Sequence, residues 1–95
     1  MQAMAAGPQT ETQEIDRALV GTLGLAAFSV PYVDLEDWPF IGSRLVLDGT
    51  EYTYNRSFNI LGHSAVMPAA VAKLRAQGKN ILVAQRKDRY YVYVA

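Results

Sequence analysis

Asn80-Ile81-Leu82-Val83-Ala84-Gln85-Arg86-Lys87-Asp88-Arg89-Tyr90-Tyr91-Val92-Tyr93-Val94-Ala95 reads as two strands around a turn at Arg86-Lys87-Asp88-Arg89. Pairing about that turn sets Gln85 opposite Tyr90, Val83 opposite Val92 and Ile81 opposite Val94. One face then carries Ile81, Val83, Tyr90, Val92 and Val94. The other carries Leu82, Ala84, Tyr91 and Tyr93. A ribbon wet on one side alternates apolar with polar. This one is apolar on both sides, so both need a cover. The expected cover is an N-terminal helix with the loop around Trp38, or a second subunit. Trp38, Phe40, Leu82, Tyr91 and Tyr93 are therefore the candidate partner-binding residues.

A second hairpin is written into residues 45–54, Leu-Val-Leu-Asp-Gly-Thr-Glu-Tyr-Thr-Tyr. Asp-Gly between alternating strands suits a two-residue type I′ turn, which needs positive φ at both central positions. Leu47 then faces Thr50 and Leu45 faces Tyr52. Between the two hairpins, Pro68 suits the first turn of a helix, where its missing N–H costs nothing. Residues 69–77 are rich in helix formers, and Gly78 stands where a C′ glycine belongs. Val71 and Leu74 would face the core.

The first third of the chain is harder to read. Residues 1–10 are small and polar and read as a flexible tail. Ile15, Leu19, Thr22, Leu23 and Ala26 follow helical spacing, which predicts a helix over residues 11–27. Gly21 and Gly24 weaken that helix by about 1 kcal/mol each. Val30-Pro31 ends it, and residues 34–42 form a loop with aromatic anchors. The expected fold class is α+β: N-terminal helix, hairpin, helix, hairpin, in one domain over residues 11–95. About four antiparallel strands would carry the second helix on one face.

Composition excludes several chemistries. The chain has no cysteine and one histidine, so thiolate nucleophiles and Cys-based or His-rich metal sites within one protomer are ruled out. No cofactor and no small-molecule substrate is indicated. Residues 18–33 are uncharged, but 16 residues holding two glycines and a proline fall short of the ~20 that a membrane span needs. Acids precede them where a signal peptide wants bases, so a cytoplasmic location is expected.

Charge is divided along the chain. Residues 1–47 hold six acids against two bases, a net of −4, and residues 48–95 hold seven bases against three acids, a net of +4. Arg56, Lys73, Arg75, Lys79, Arg86, Lys87 and Arg89 form the candidate anion or nucleic-acid set, with tyrosines among them to stack on bases. Whether they share one surface is not written in their spacing. His63 is the one side chain that titrates near neutral pH unperturbed, which makes it the candidate acid or base of a metal-independent RNase-like site. Three functions follow: a non-enzymatic protein-interaction or self-assembly module, a nucleic-acid-binding domain, and a small nuclease. The two-faced ribbon and the charge division favour the first.

Overall fold

The computed structural model describes residues 8–25, 27–60 and 66–95. Its elements run β1 (Gln9–Glu14), a 3₁₀ turn (Arg17–Leu19), β2 (Val20–Leu25), β3 (Phe28–Asp34), β4 (Gly42–Leu47), β5 (Thr50–Asn59), α1 (Val66–Ala76), β6 (Ile81–Arg86) and β7 (Arg89–Val94). All seven strands form one mixed sheet in the order β1-β4-β5-β7-β6-β3-β2. The β1–β4 and β3–β6 pairs are parallel, and the rest are antiparallel.

The expected α+β fold with two helices and about four strands is thus overturned. Among the described residues the protein is mostly β, with one α-helix. Residues 11–25 are not helical but run through β1, the 3₁₀ turn and β2. The apparent helical spacing was coincidental, since Leu19 is 50% exposed. Val20 and Thr22 are β-branched and favour a strand, and the glycines disfavour a helix. Leu23 and Leu25 alternate with exposed Thr22 and Gly24 as a strand requires. β1 begins at Gln9, within the segment read as a tail.

Both hairpins form in the expected registers. Leu47 faces Thr50 and Leu45 faces Tyr52, with φ 53° at Asp48 and 81° at Gly49. Ile81, Val83 and Gln85 face Val94, Val92 and Tyr90. α1 buries Met67 and Val71.

Chain connectivity forces the sheet to curl. Laid flat, seven strands would hold the outer two about 29 Å apart, six spacings of ~4.8 Å. Yet only residues 15–19 join β1 to β2, and that link spans at most ~21 Å when fully extended. The pairings make β1 and β2 run in the same direction. Residues 9–25 therefore act as one kinked strand, pairing with β4 in its first half and with β3 in its second. The sheet wraps round an inner layer of Ile15, Val33, Leu35, Ile41, Leu45, Leu47, Leu82, Ala84, Tyr91 and Tyr93. α1 covers the outer face over Leu25, Val30, Phe58, Ile81, Val83 and Val92.

Two local devices keep the faces consistent. Tyr52 and Tyr54 belong to the inner layer and Phe58 to the outer one, which strict alternation along β5 forbids. An irregularity between Tyr54 and Arg56 supplies the extra residue, so Arg56 pairs with Val92 on the outer face. Gly42 lets β1 approach β4, because a Cβ there would meet the Glu11 carbonyl oxygen at 2.6 Å.

Tyr93 is fully buried, and its hydroxyl donates to the Gly42 carbonyl oxygen. Burial pushes its phenol far above the ordinary tyrosine range, with Tyr91 and Tyr54 adding to the effect. The unfolded phenol ionises near pH 10 while the folded one keeps its proton. Its contribution is complete below pH ~10 and shrinks by about 1.4 kcal/mol per pH unit above it. Urea denaturation should therefore show stability falling above pH 10. Tyr93→Phe should cost ~1–2 kcal/mol at pH 7 and flatten that alkaline fall.

Candidate functional site

The seven cations singled out from the sequence separate into two groups. β6 and β7 form a ribbon whose tip is the turn from Arg86 to Arg89. At its base Asn80 and Ala95 exchange both backbone hydrogen bonds. Tip and base lie about 17 Å apart, five strand residues at ~3.3 Å.

At the tip the two arginines hold the fold together, while Lys87 is exposed and takes part through its backbone N–H. Arg86 donates from Nε to the Trp38 carbonyl and from Nη2 to the Pro39 carbonyl, each at 2.8 Å. Arg89 donates from Nε and Nη2 to Ser57 Oγ at 3.1 and 2.9 Å. The Lys87 backbone N–H donates to Glu36 Oε1 at 3.0 Å. These contacts close the loop of residues 35–41 over one end of the inner layer, with Trp38 half-buried against it.

The base group is different. Lys73, Arg75 and Lys79 stand in or just past the last turns of α1, and Arg56, opposite Val92 and so midway along the ribbon, lines a hollow with Lys73. The helix stops in a Schellman motif: Lys79 N–H donates to the Leu74 carbonyl and Gly78 N–H to that of Arg75, with Gly78 at φ 86°. The last carbonyls are thus satisfied by backbone, which leaves the basic side chains free of capping duty. Among the described residues the ion pairs are Arg17–Asp48 at 3.3 Å and Arg44–Glu51 at 3.2 Å. Neither involves the base group. Arg75 lays its guanidinium 4.3 Å over the Phe28 ring.

Two hollows flank the helix end. One, of about 210 Å³, is lined by Arg56, Ala70, Lys73, Leu74 and Gln77. The other, of about 220 Å³, lies between β3 and β6 and has Tyr52, Arg75, Lys79 and Asn80 on its walls. Arg75 and Lys79 therefore share one hollow and Arg56 and Lys73 the other, while Arg86, Lys87 and Arg89 stand at the tip.

The candidate partner-binding residues meet another fate. Leu82 and Tyr93 are 0% exposed and Tyr91 is 5% exposed. The chain's own curled sheet covers the second face of the ribbon, so these three offer nothing to a partner. Phe40 is half-buried, and its carbonyl accepts from Gln13 Nε2 at 3.3 Å. His63 lies outside the described residues.

Sequence reasoning missed Ser29, Pro31 and Asn80 as lining residues. The helix assigned over 11–27 hid the strand pairing that carries the first two. The usable signal was Pro31 itself, which implies an interrupted ladder when found in a strand.

Tyr32 donates from its hydroxyl to Gln85 Oε1. Its phenol is raised by burial, with Asp34, Tyr90 and Glu36 adding to the effect. Among the described residues no cluster of three or more His, Cys, Asp or Glu is placed to hold a metal ion. Nor is any helix among them long and apolar enough to cross a membrane. No protein-family model matches the chain, and no curated protein or solved structure is significantly similar to it.

The division of the cations makes a separable prediction. Arg86→Ala should free the 35–41 loop, shift Trp38 fluorescence to the red and cost ~1 kcal/mol in urea denaturation. It should leave the charge at the helix end untouched.

Proposed function

We propose that this protein is a non-enzymatic binding module for single-stranded nucleic acid, which it engages at the end of the curled sheet where α1 stops. The observation that carries this reading is that Arg75 and Lys79 line one hollow beside the helix end and Arg56 and Lys73 line another, with no acidic partner among the described residues. Cations held by acids bring little to an anion. Unpaired ones release counterions from a phosphate chain. Tyr52 on the wall of one hollow supplies an aromatic surface for an unpaired base. A rigid duplex suits two small hollows less well than a flexible strand does.

Fluorescence anisotropy with labelled single-stranded oligonucleotides tests it. Binding should be clear at 50 mM salt and fall with a log–log slope of about −3 if all four cations engage, at ~0.7 each. Lys73→Ala should reduce that slope by ~0.7. Arg86→Ala should leave it unchanged. Absence of binding at 50 mM salt to any single-stranded RNA or DNA would end the proposal.

Association with a protein partner or with a second copy is the other reading. Its original motive, the two-faced ribbon, is accounted for within the chain. What favours it now is β2, which stands last in the strand order and has a neighbour on one side only. Such an edge can add a strand from another chain. Light scattering should then show a dimer that Thr22→Pro dissociates, whereas a monomer at millimolar concentration would remove self-association.

A further inference from the structure

The parallel ladder between β3 and β6 is short. It runs from Tyr32 opposite Val83 to Asp34 opposite Gln85, although β3 begins at Phe28 and β6 at Ile81. Pro31, the next residue down, has no N–H to continue it. The lower half of the β2–β3 hairpin therefore stands off from β6 and opens the 220 Å³ cleft. Ser29, Val30 and Pro31 form one wall, and Asn80 and Ile81 form the other. A groove of about 320 Å³, which holds Arg17 and Thr22, adjoins it through the same Ser29, Val30 and Pro31.

We infer that this cleft seats one unpaired nucleotide, with its base against Tyr52 and its phosphate between Arg75 and Lys79. The inference rests on the single-strand reading above and assigns it a specific contact. Three features of the cleft point the same way. Pro31 is exposed on one wall and Tyr52 is half-buried on another, and these two rings suit the face of a flat base. Ser29 and Asn80 each carry groups that can donate and accept, so they can meet the edge of any base without demanding one. Arg75 and Lys79 stand at the same cleft, and no acidic side chain lines it.

Arg75 is held in advance. Its guanidinium lies on the Phe28 ring, which occupies one flat face by cation–π attraction and leaves the in-plane N–H groups for an oxyanion. Lys79 is fixed at its backbone by the Schellman hydrogen bond to Leu74. A carboxylate would satisfy the two cations but would leave the aromatic and apolar walls without a partner. A nucleotide uses both. The neighbouring phosphates of the strand would pass over the helix end toward Lys73 and Arg56, which line the 210 Å³ hollow beside Leu74.

Two-dimensional NMR on the full chain, titrated with uridine 5′-monophosphate and separately with inorganic phosphate at matched ionic strength, tests this. Millimolar mononucleotide should shift the Ser29, Tyr52 and Asn80 resonances, and phosphate should not reproduce the pattern. Ser29→Trp, which fills the cleft from an exposed position, should abolish those shifts and weaken oligonucleotide binding about 10-fold. The exposed double variant Arg75→Gln/Lys79→Gln gives the same readout without altering either strand. Unmoved resonances, or identical shifts with phosphate alone, overturn the inference. Oligonucleotide binding that survives both variants but is lost in Lys73→Ala overturns it too, and leaves the single-strand reading standing. Mononucleotide shifts at the cleft without any oligonucleotide binding would uphold the cleft and remove the single-strand reading.

Discussion

A link of five residues between β1 and β2 cannot reach across a flat seven-stranded sheet, and the rest of the fold follows from that limit. The sheet has to curl, and its concave face becomes an enclosed layer. Leu82, Ala84, Tyr91 and Tyr93 then lie inside the chain's own wrap. Enclosure sets demands of its own. A buried tyrosine hydroxyl needs an acceptor, and Tyr93 finds one in the Gly42 carbonyl. Gly42 is also the residue that permits β1 to lie close to β4. One position thus serves the closure of the sheet and the polar balance of its interior.

The same curl explains why the cations divide as they do. β6 and β7 form an inner ribbon of the sheet, so their tip and base project at opposite ends of the wrap. At the tip the loop 35–41 must be held down over the inner layer, and Arg86 does this through two backbone carbonyls. Arg89 ties β7 to β5 through Ser57. The helix end is capped by its own backbone, and of the basic side chains there Arg75 rests on the Phe28 ring while none is held by an acid among the described residues. Pro31 adds an opening at the same end by interrupting the β3–β6 ladder.

How much of this was legible depended on how local the signal was. Asp48-Gly49 fixes a hairpin within ten residues, and Gly78 marks the helix end within the last turn. Both were readable because the determining interactions span a few residues. The two parallel pairings were not, since β1 meets β4 and β3 meets β6 across long stretches of chain with no turn to announce them. Residues 11–27 failed for a related reason. Ile15, Leu19 and Leu23 are four apart, which imitates one helix face, while the glycines and β-branched residues that fit a strand gain meaning only when a partner strand is known. For the site, the cations were legible as residues but not as groups. Their grouping depends on the length of the β6–β7 ribbon and on which of them the fold employs. The two apolar faces of that ribbon were legible, but not the identity of their cover.

A net charge of zero does not weigh against an anionic partner here. Asp34, Glu36 and Asp37 stand at the tip end, where Asp34 pairs with Gln85 and Glu36 meets Lys87. That is about 17 Å from Lys79 at the base, whereas the screening length at physiological salt is ~8 Å. Their repulsion of a strand bound at the helix end is therefore largely screened. Asp48 and Glu51 are matched by Arg17 and Arg44, so their fields fall off quickly. A phosphate in contact with Lys79 or Arg75 sits well inside one screening length and keeps most of its attraction. Local geometry, rather than the sum over the chain, decides what this end of the molecule attracts.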